Sequence, residues 1–220
     1  MKQMILKNST TWMTSALTMA FCMALNASPS FAEDRVVVIP MGKSGAPAPV
    51  AKTGQTTSSA DGDDGDLQKG AAMAAGRFVD NNNGTVTDKL TGLIWLKEGQ
   101  CQPFFSGDAI GINNRSWVEA IEAANKLASG YCGLNDGSKA GDWRLPNLNE
   151  LASLLDRGQY FKALPVGCPL TATTVSLNYW SATTFAGNST DMWAVHFGLG
   201  SDGKANKSNS YYVRCVRAGQ

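Results

Sequence analysis

Residues 141–155 read Gly-Asp-Trp-Arg-Leu-Pro-Asn-Leu-Asn-Glu-Leu-Ala-Ser-Leu-Leu. This run sets an extended piece, a stop and a helix start side by side, and it limits the fold more than any other stretch. Pro146 disfavours helix in the residue before it, so Trp143–Leu145 is extended. Asn147 stands three residues ahead of Glu150, the spacing of an N-cap reinforced from the third helical position. Leu148, Leu151, Leu154 and Leu155 then follow at helical spacing, with Gly158 as the expected stop. A large indole and a five-donor guanidinium must therefore share one tight corner. Trp143 is expected in a core and Arg144 on carbonyls or a carboxylate, a structural reading that carries no chemistry.

The amino terminus points to export. Lys2 and Lys7 precede an apolar run, Met13–Leu25, and Ser30-Phe31-Ala32 stands before Glu33. A basic start, a short apolar core and small residues at the cleavage site describe a signal peptide over residues 1–32. The run is too short and too rich in Thr and Ser to span a bilayer of about 30 Å, so no stable membrane insertion is expected. Phe21 stands where a lipoprotein needs a small residue before Cys22. The mature chain is expected to be exported, to the periplasm, the cell surface or the medium. Without Cys22 the cysteines are Cys101, Cys132, Cys168 and Cys215. In an oxidising compartment they imply two disulfides, with three connectivities open on spacing alone.

Charge and residue inventory then remove function classes. The 19 Lys and Arg against 18 Asp and Glu leave no basic excess for nucleic acid. There is no Cys-x-x-Cys, and His196 is the chain's one histidine. Zinc sites, thiol redox chemistry and acid–base catalysis lose their usual residues, and no cofactor or metal is expected. The acidic run Asp61-Gly-Asp-Asp-Gly-Asp66 lacks calcium-loop spacing.

Along the chain, residues 33–75 read as an N-terminal strand followed by a flexible linker rich in Gly, Ala, Pro, Ser and Asp. The strand, Val36–Ile39, has no partner nearby. Residues 76–220 read as one folded domain. Arg77–Val79 and Thr85–Thr87 flank Asp80-Asn-Asn-Asn-Gly84, a hairpin turn. Asp80, Asn82 and Asp88 are also a possible cation cradle, but the turn explains them without an ion. Leu93–Leu96 suits a buried strand. Ser116 and Glu119 form a capping box ahead of a helix whose Trp117, Ala120, Ile121, Ala124 and Leu127 share one face. Trp95 and Trp180 read as core anchors on flanking strands. Trp193, Val195 and Phe197 alternate on one strand face, which turns His196 the other way. Gly198–Ser210 reads as a polar loop and Tyr211–Arg217 as a closing strand.

Five ordered motifs carry a resemblance: Phe78-Val-Asp-Asn with Asn83-Gly-Thr-Val-Thr-Asp88, Thr91-Gly-Leu-Ile-Trp95, Gly141-Asp-Trp-Arg-Leu-Pro146 with Glu150-Leu151, Tyr179-Trp-Ser181, and Tyr212-Val-Arg-Cys-Val-Arg217. Together they resemble the domain at the C-terminus of collagen-like (Lcl-type) bacterial adhesins, over about Gly76–Gly219. The resemblance implies an α+β domain of C-type-lectin-like fold, similar also to the formylglycine-generating enzyme. Two helices would pack around small, mostly antiparallel sheets, with ligands at the later loops. Collagen-like repeats are absent, so assembly through a triple helix is not implied. The preferred bridges are Cys101–Cys132 and Cys168–Cys215, because Cys215 and Cys168 both depart from the family pattern. Glu-Pro-Asn, Gln-Pro-Asp and Trp-Asn-Asp do not occur, so calcium-dependent sugar binding does not carry over.

These readings favour a binding module for a surface polysaccharide, a glycosaminoglycan-like polymer or a protein receptor. The candidate ligand residues are Asn188, Asp191, Asp202, Lys204, Asn206 and Lys207, whose amides and charges flank aromatic strands. Arg214 and Arg217 are either anion contacts or structural. An enzyme would lack its base and metal ligands. A structural subunit of an envelope complex or appendage is the other alternative, with Val36–Ile39 adding to a partner's sheet edge.

Overall fold

A computed structural model describes residues 50–73, 75–99, 101, 114–173 and 176–218. The expected signal peptide, the Val36–Ile39 strand and the first part of the linker lie outside the described residues. In chain order the elements are α1 (Asp64–Leu67), β1 (Phe78–Asp80), β2 (Thr85–Asp88), β3 (Leu93–Leu96), β4 (Asn114–Arg115), α2 (Trp117–Lys126), α3 (Leu148–Ala152), β5 (Tyr179–Thr184), β6 (Asp191–His196), β7 (Ser201–Asn206), β8 (Tyr211–Tyr212) and β9 (Val216–Ala218). They form two sheets, ordered β1-β2-β3-β9 and β4-β8-β5-β6-β7. All pairings are antiparallel except β5 with β8. The fold is α+β, mostly strands with a few short helices.

Period-two alternation gives the larger sheet a core on each face. Tyr179, Val195 and Phe197 meet Leu151, Leu154 and Leu155 around α3 on one side. Trp180, Met192 and Ala194 meet Ala120, Ala124 and Leu127 around α2 on the other. The smaller sheet joins both cores, sending Val86, Trp95 and Val216 to the first and Leu96 to the second. Trp95, Trp143 and Trp180 are fully buried, and losing such a side chain typically costs about 3–5 kcal/mol.

The corner at 141–155 is built by one carboxylate with two duties. Glu150 accepts the Asn147 amide at 2.8 Å, and the Glu150 amide donates to Asn147 Oδ1 at 2.9 Å. The same carboxylate takes both Arg144 Nη atoms at 2.7 Å. Burial works to raise its pKa, yet the Arg144 fork and the Asn147 amide hold it below the ordinary value. Arg144 and Val216 exchange backbone hydrogen bonds at 3.0 Å, tying the corner to the last strand. The α3 helix ends at Ala152, earlier than its leucine pattern implies. The Ser153 hydroxyl turns back to the Glu150 carbonyl, and the Ser153 carbonyl is taken by Arg77. Leu154 and Leu155 then follow in tighter turns bonded to Leu151 and Ala152.

Arg77 and Asp88 form a buried fork across the first hairpin, at 2.8 and 2.7 Å. Asp88 also accepts from the Thr91 hydroxyl and the Leu90 amide. The hairpin tip rests on the 133–135 loop, where a Cβ on Gly84 would meet the Gly133 carbonyl at 2.3 Å. Gly84 also has φ +84, so both backbone and space require glycine.

Three local expectations are revised. Ser201–Asn206 is not a loop but a six-residue edge strand in register with β6. It has no apolar alternation, and pairing overrides its composition. Within the segment read as a linker, residues 50–73 carry structure: Lys52 and Ala71 close a backbone bridge, and Asp63 caps α1. The Thr53 carbonyl accepts the Arg157 amide at 2.7 Å. Asp63 and Asp66 thus serve the backbone, and Asp64 accepts from the Thr53 hydroxyl. The disulfide expectation holds for Cys101–Cys132. The second bridge is corrected: Cys168 and Cys215 are free thiols. Cys215 is buried in the α2-side core, whereas Cys168 packs at the margin of the α3-side core. Burial pushes the Cys215 thiol up to about 12, and it raises Cys168 as well, so neither is poised as a thiolate.

Two measurements follow. Alkylating the mature protein in denaturant without reductant should modify Cys168 and Cys215 and leave Cys101 and Cys132 unmodified; mass spectrometry showing no modification would restore the second bridge. The other concerns Asp88, whose carboxyl burial works to raise. The hydrogen bonds and charge of Arg77 outweigh that and hold it below its ordinary 3.8. The pair's stabilisation is therefore complete above about pH 5 and is lost as the pH falls through the depressed folded value. Asp88→Asn should lower stability by about 3–5 kcal/mol near neutrality, since it strands a buried guanidinium. It should also flatten the acid limb of a pH–stability curve measured by chemical denaturation.

Candidate functional site

The β5–β6 turn and the end of β7 gather five of the six residues expected at a ligand face. Register places Asp191 opposite Asn206 and Trp193 opposite Lys204. Phe185 stands edge-on to Trp193, with centroids 5.5 Å apart, and Lys204 Nζ lies 5.2 Å above the Phe185 ring. Lys207 Nζ sits 4.0 Å over Trp117 and donates to Thr184 Oγ1 and the Ser189 carbonyl, both at 2.9 Å. Two ammonium groups on aromatic faces thus mark one end of the sheet.

The amides and carboxylate beside them are largely spent on one another. Asn188 Oδ1 accepts from the Thr190 amide and hydroxyl, and its Nδ2 donates to Asp191 Oδ2 at 3.3 Å. Asn206 Nδ2 donates to Asp191 Oδ1 at 3.2 Å, and Asn206 Oδ1 accepts from Ser208. This network shapes the turn. Lys204 is the exposed cation of the group, with no hydrogen bond among the described residues. Asp202 does not join the cluster. It lies toward the opposite end of β7, paired with Arg157 at 2.9 Å.

Other candidates have structural positions. Arg214 is fully buried and donates to the Leu96, Lys97 and Thr171 carbonyls and to Thr173 Oγ1. Arg217 pairs with Asp136 at 3.2 Å and lies over the Trp143 ring. His196 Nδ1 accepts the Gly198 and Leu199 amides, at 3.1 and 3.2 Å. The residues weighed as a cation cradle are separated by their partners: Asp88 is held by Arg77, and Asp80 by Lys97 at 2.6 Å. The Lys97 ammonium holds the Asp80 carboxyl below its usual range. No group of three potential metal ligands occurs among the described residues. No helix among them is long and apolar enough to cross a membrane.

Two cavities were not foreseen. One of about 800 Å³ lies beside Cys101–Cys132 and is lined by Asn82, Lys97, Glu98 and Thr171. Among the described residues its lining has no ring, Lys97 is paired, and Glu98 accepts from the Thr171 hydroxyl. The other, about 280 Å³, is formed by the loop after α3, including Tyr160, Phe161 and Lys162. In the sequence this loop is aperiodic; its signal is two adjacent aromatics, Tyr160-Phe161, just after Gly158 in a stretch with no strand or helix pattern.

A search of curated proteins gives no match. The family model described as the Lcl C-terminal domain matches residues 84–217, from the tip of the first hairpin to the last strand. That span covers more than half of the 220-residue chain and takes in the larger sheet, β2, β3 and most of β9 of the smaller one, α2, α3 and the 141–155 corner, and by it the protein belongs to the Lcl C-terminal domain family.

Proposed function

We propose that this protein is an exported binding module of C-type-lectin-like architecture that holds an anionic polysaccharide, and that it acts without catalysis. The observation that carries the reading is the exposed Lys204 ammonium over the Phe185 ring, with Phe185 edge-on to Trp193. A ring offers its face to the apolar side of a sugar, and an ammonium beside it meets a carboxylate or sulfate. The placement of α2 and α3 on opposite faces of one mostly antiparallel sheet supports the architecture. The Cys101–Cys132 bridge is in keeping with export. His196, the sequence's one imidazole base, is occupied by two backbone amides, which supports binding over acid–base chemistry.

The two lysines separate by role. Lys207 closes the β5–β6 turn through two hydrogen bonds as well as its ring contact, so Lys207→Ala should lower both the melting temperature and binding. Lys204→Ala should leave the melting temperature within a degree or two. It should weaken binding about 5- to 10-fold, the equivalent of roughly 1 kcal/mol or slightly more. The assay is a glycan array followed by titration of hits with the oxidised mature protein, in calcium and in chelator. Binding indifferent to Lys204→Ala would move the ligand elsewhere. Binding lost in chelator would mean a metal-dependent site.

A further inference from the structure

We propose a second contact for the same ligand class: a corner formed by Tyr160, Phe161 and Lys162 that takes one sugar residue of an acidic polysaccharide. The inference rests on the glycan reading above and extends it to a second place on the surface. Tyr160 and Phe161 are 71% and 68% exposed, unusual for two adjacent large rings. Their centroids lie 5.1 Å apart with planes at 75°, so they form two walls near a right angle and not a flat patch. The cavity of about 280 Å³ includes them with Gln159, Lys162 and Val166 in its lining, a space at the lower end of small-ligand sites.

The display is held against strain. Phe161 has φ +60 and Lys162 φ +134, backbone regions that side-chain-bearing residues rarely adopt and that cost on the order of 1–3 kcal/mol each. Three backbone hydrogen bonds enforce it. The Phe161 amide donates to the Gly198 carbonyl at 2.9 Å, Ala163 to Phe197 at 2.7 Å, and Asp156 to Ala163 at 3.0 Å. Ala163 and Leu164 are buried immediately after the exposed tip, so the loop is anchored at its base.

Chemistry and position select an acidic saccharide. The Gln159 side-chain carboxamide and the Lys162 ammonium make no hydrogen bond among the described residues, and they stand beside two ring faces. The corner is continuous with β7. Arg157, four residues before Phe161, binds the Gly200 carbonyl at 2.7 Å and neutralises Asp202. Beyond Asp202 on the same face of β7 stand Lys204 and then Asn206, at intervals of roughly 7 Å. A polyanion lying along this edge would meet Lys162 first, a neutralised carboxylate next, and Lys204 last.

The test compares the full mature chain with Tyr160→Ala/Phe161→Ala, Lys162→Ala, Phe161→Gly and Lys204→Ala. The probes are sulfated uronic-acid oligosaccharides of two lengths. The double variant and Lys162→Ala should each lose about 5- to 10-fold in affinity for the longer probe and much less for the shorter one, with unchanged melting temperatures. Phe161→Gly should keep or raise the melting temperature, because glycine relieves the positive φ, and still lose long-probe affinity. Long-probe affinity unchanged in these variants, with Lys204→Ala still weakening it, overturns the corner and leaves the glycan reading standing. No binding by the wild-type chain overturns both. Self-association of the wild type that the double variant abolishes, without any change in sugar binding, assigns the rings to a protein contact and overturns the saccharide corner.

Discussion

A guanidinium buried without a carboxylate among its described hydrogen-bond partners holds the two sheets together. Arg214 lies between β8, in the larger sheet, and β9, in the smaller one, at zero exposure. Taking such an ion out of water costs several kcal/mol unless its donors are filled. Here four contacts from Nη1 and Nη2 reach the Leu96, Lys97 and Thr171 carbonyls and the Thr173 hydroxyl, leaving Nε without a partner among the described residues, and fasten β3 and the 171–173 segment to the point where the chain changes sheets. Gly99 exists to let this happen: a Cβ there would stand 2.4 Å from Arg214 Nη2. Flanking residues lock the same switch, with the Leu96 amide on the Cys215 carbonyl and Arg144 paired to Val216.

Three of the fold's arginines are held in different ways. Arg77 has a full carboxylate partner in Asp88, Arg144 shares Glu150 with a helix cap, and Arg214 relies on carbonyl dipoles. Removing a partner from the first is the most damaging change, since the remaining charge has no water to turn to. Arg144 is nearly half exposed, so its charge energy is screened, and its value is geometric. It sets Glu150 where the carboxylate caps α3. The same restraint fixes α3 against β5 and β6, and through them the base of the loop that carries Tyr160.

What was legible in the sequence was local. Capping at Ser116 and Asn147, the Asn-Gly hairpin and the alternation of Trp193, Val195 and Phe197 all depend on neighbours within a few residues, and each stands where its spacing indicated. The family motifs were legible for the same reason, being short ordered runs. Partnership at a distance was not. Cys168 and Cys215 have the right types for a bridge, but their packing assigns them to different cores. β7 reads as a loop because Ser-Asp-Gly-Lys-Ala-Asn carries no pattern of its own, and only β6 makes it a strand. Asp202 looked like a companion of Lys204 by proximity in sequence, and Arg157, 45 residues away, claims it instead.

That edge strand bears on both stability and the proposed binding role. An unpaired strand edge invites other chains to add to it, and proteins blunt such edges with charges and polar side chains. β7 does so with Asp202, Lys204 and Asn206, leaving almost nothing apolar on its exposed face. The same substitution of charge for hydrophobic surface makes the face suited to a hydrated polymer. An ammonium seated on a ring keeps part of its attraction for the π face and remains accessible to an incoming anion. Lys204 on Phe185 is in that state, whereas Lys207 has committed its donors to the turn beneath. The difference between the two lysines is therefore a difference between an ammonium whose hydrogen-bond donors are left to solvent and one consumed in building the turn.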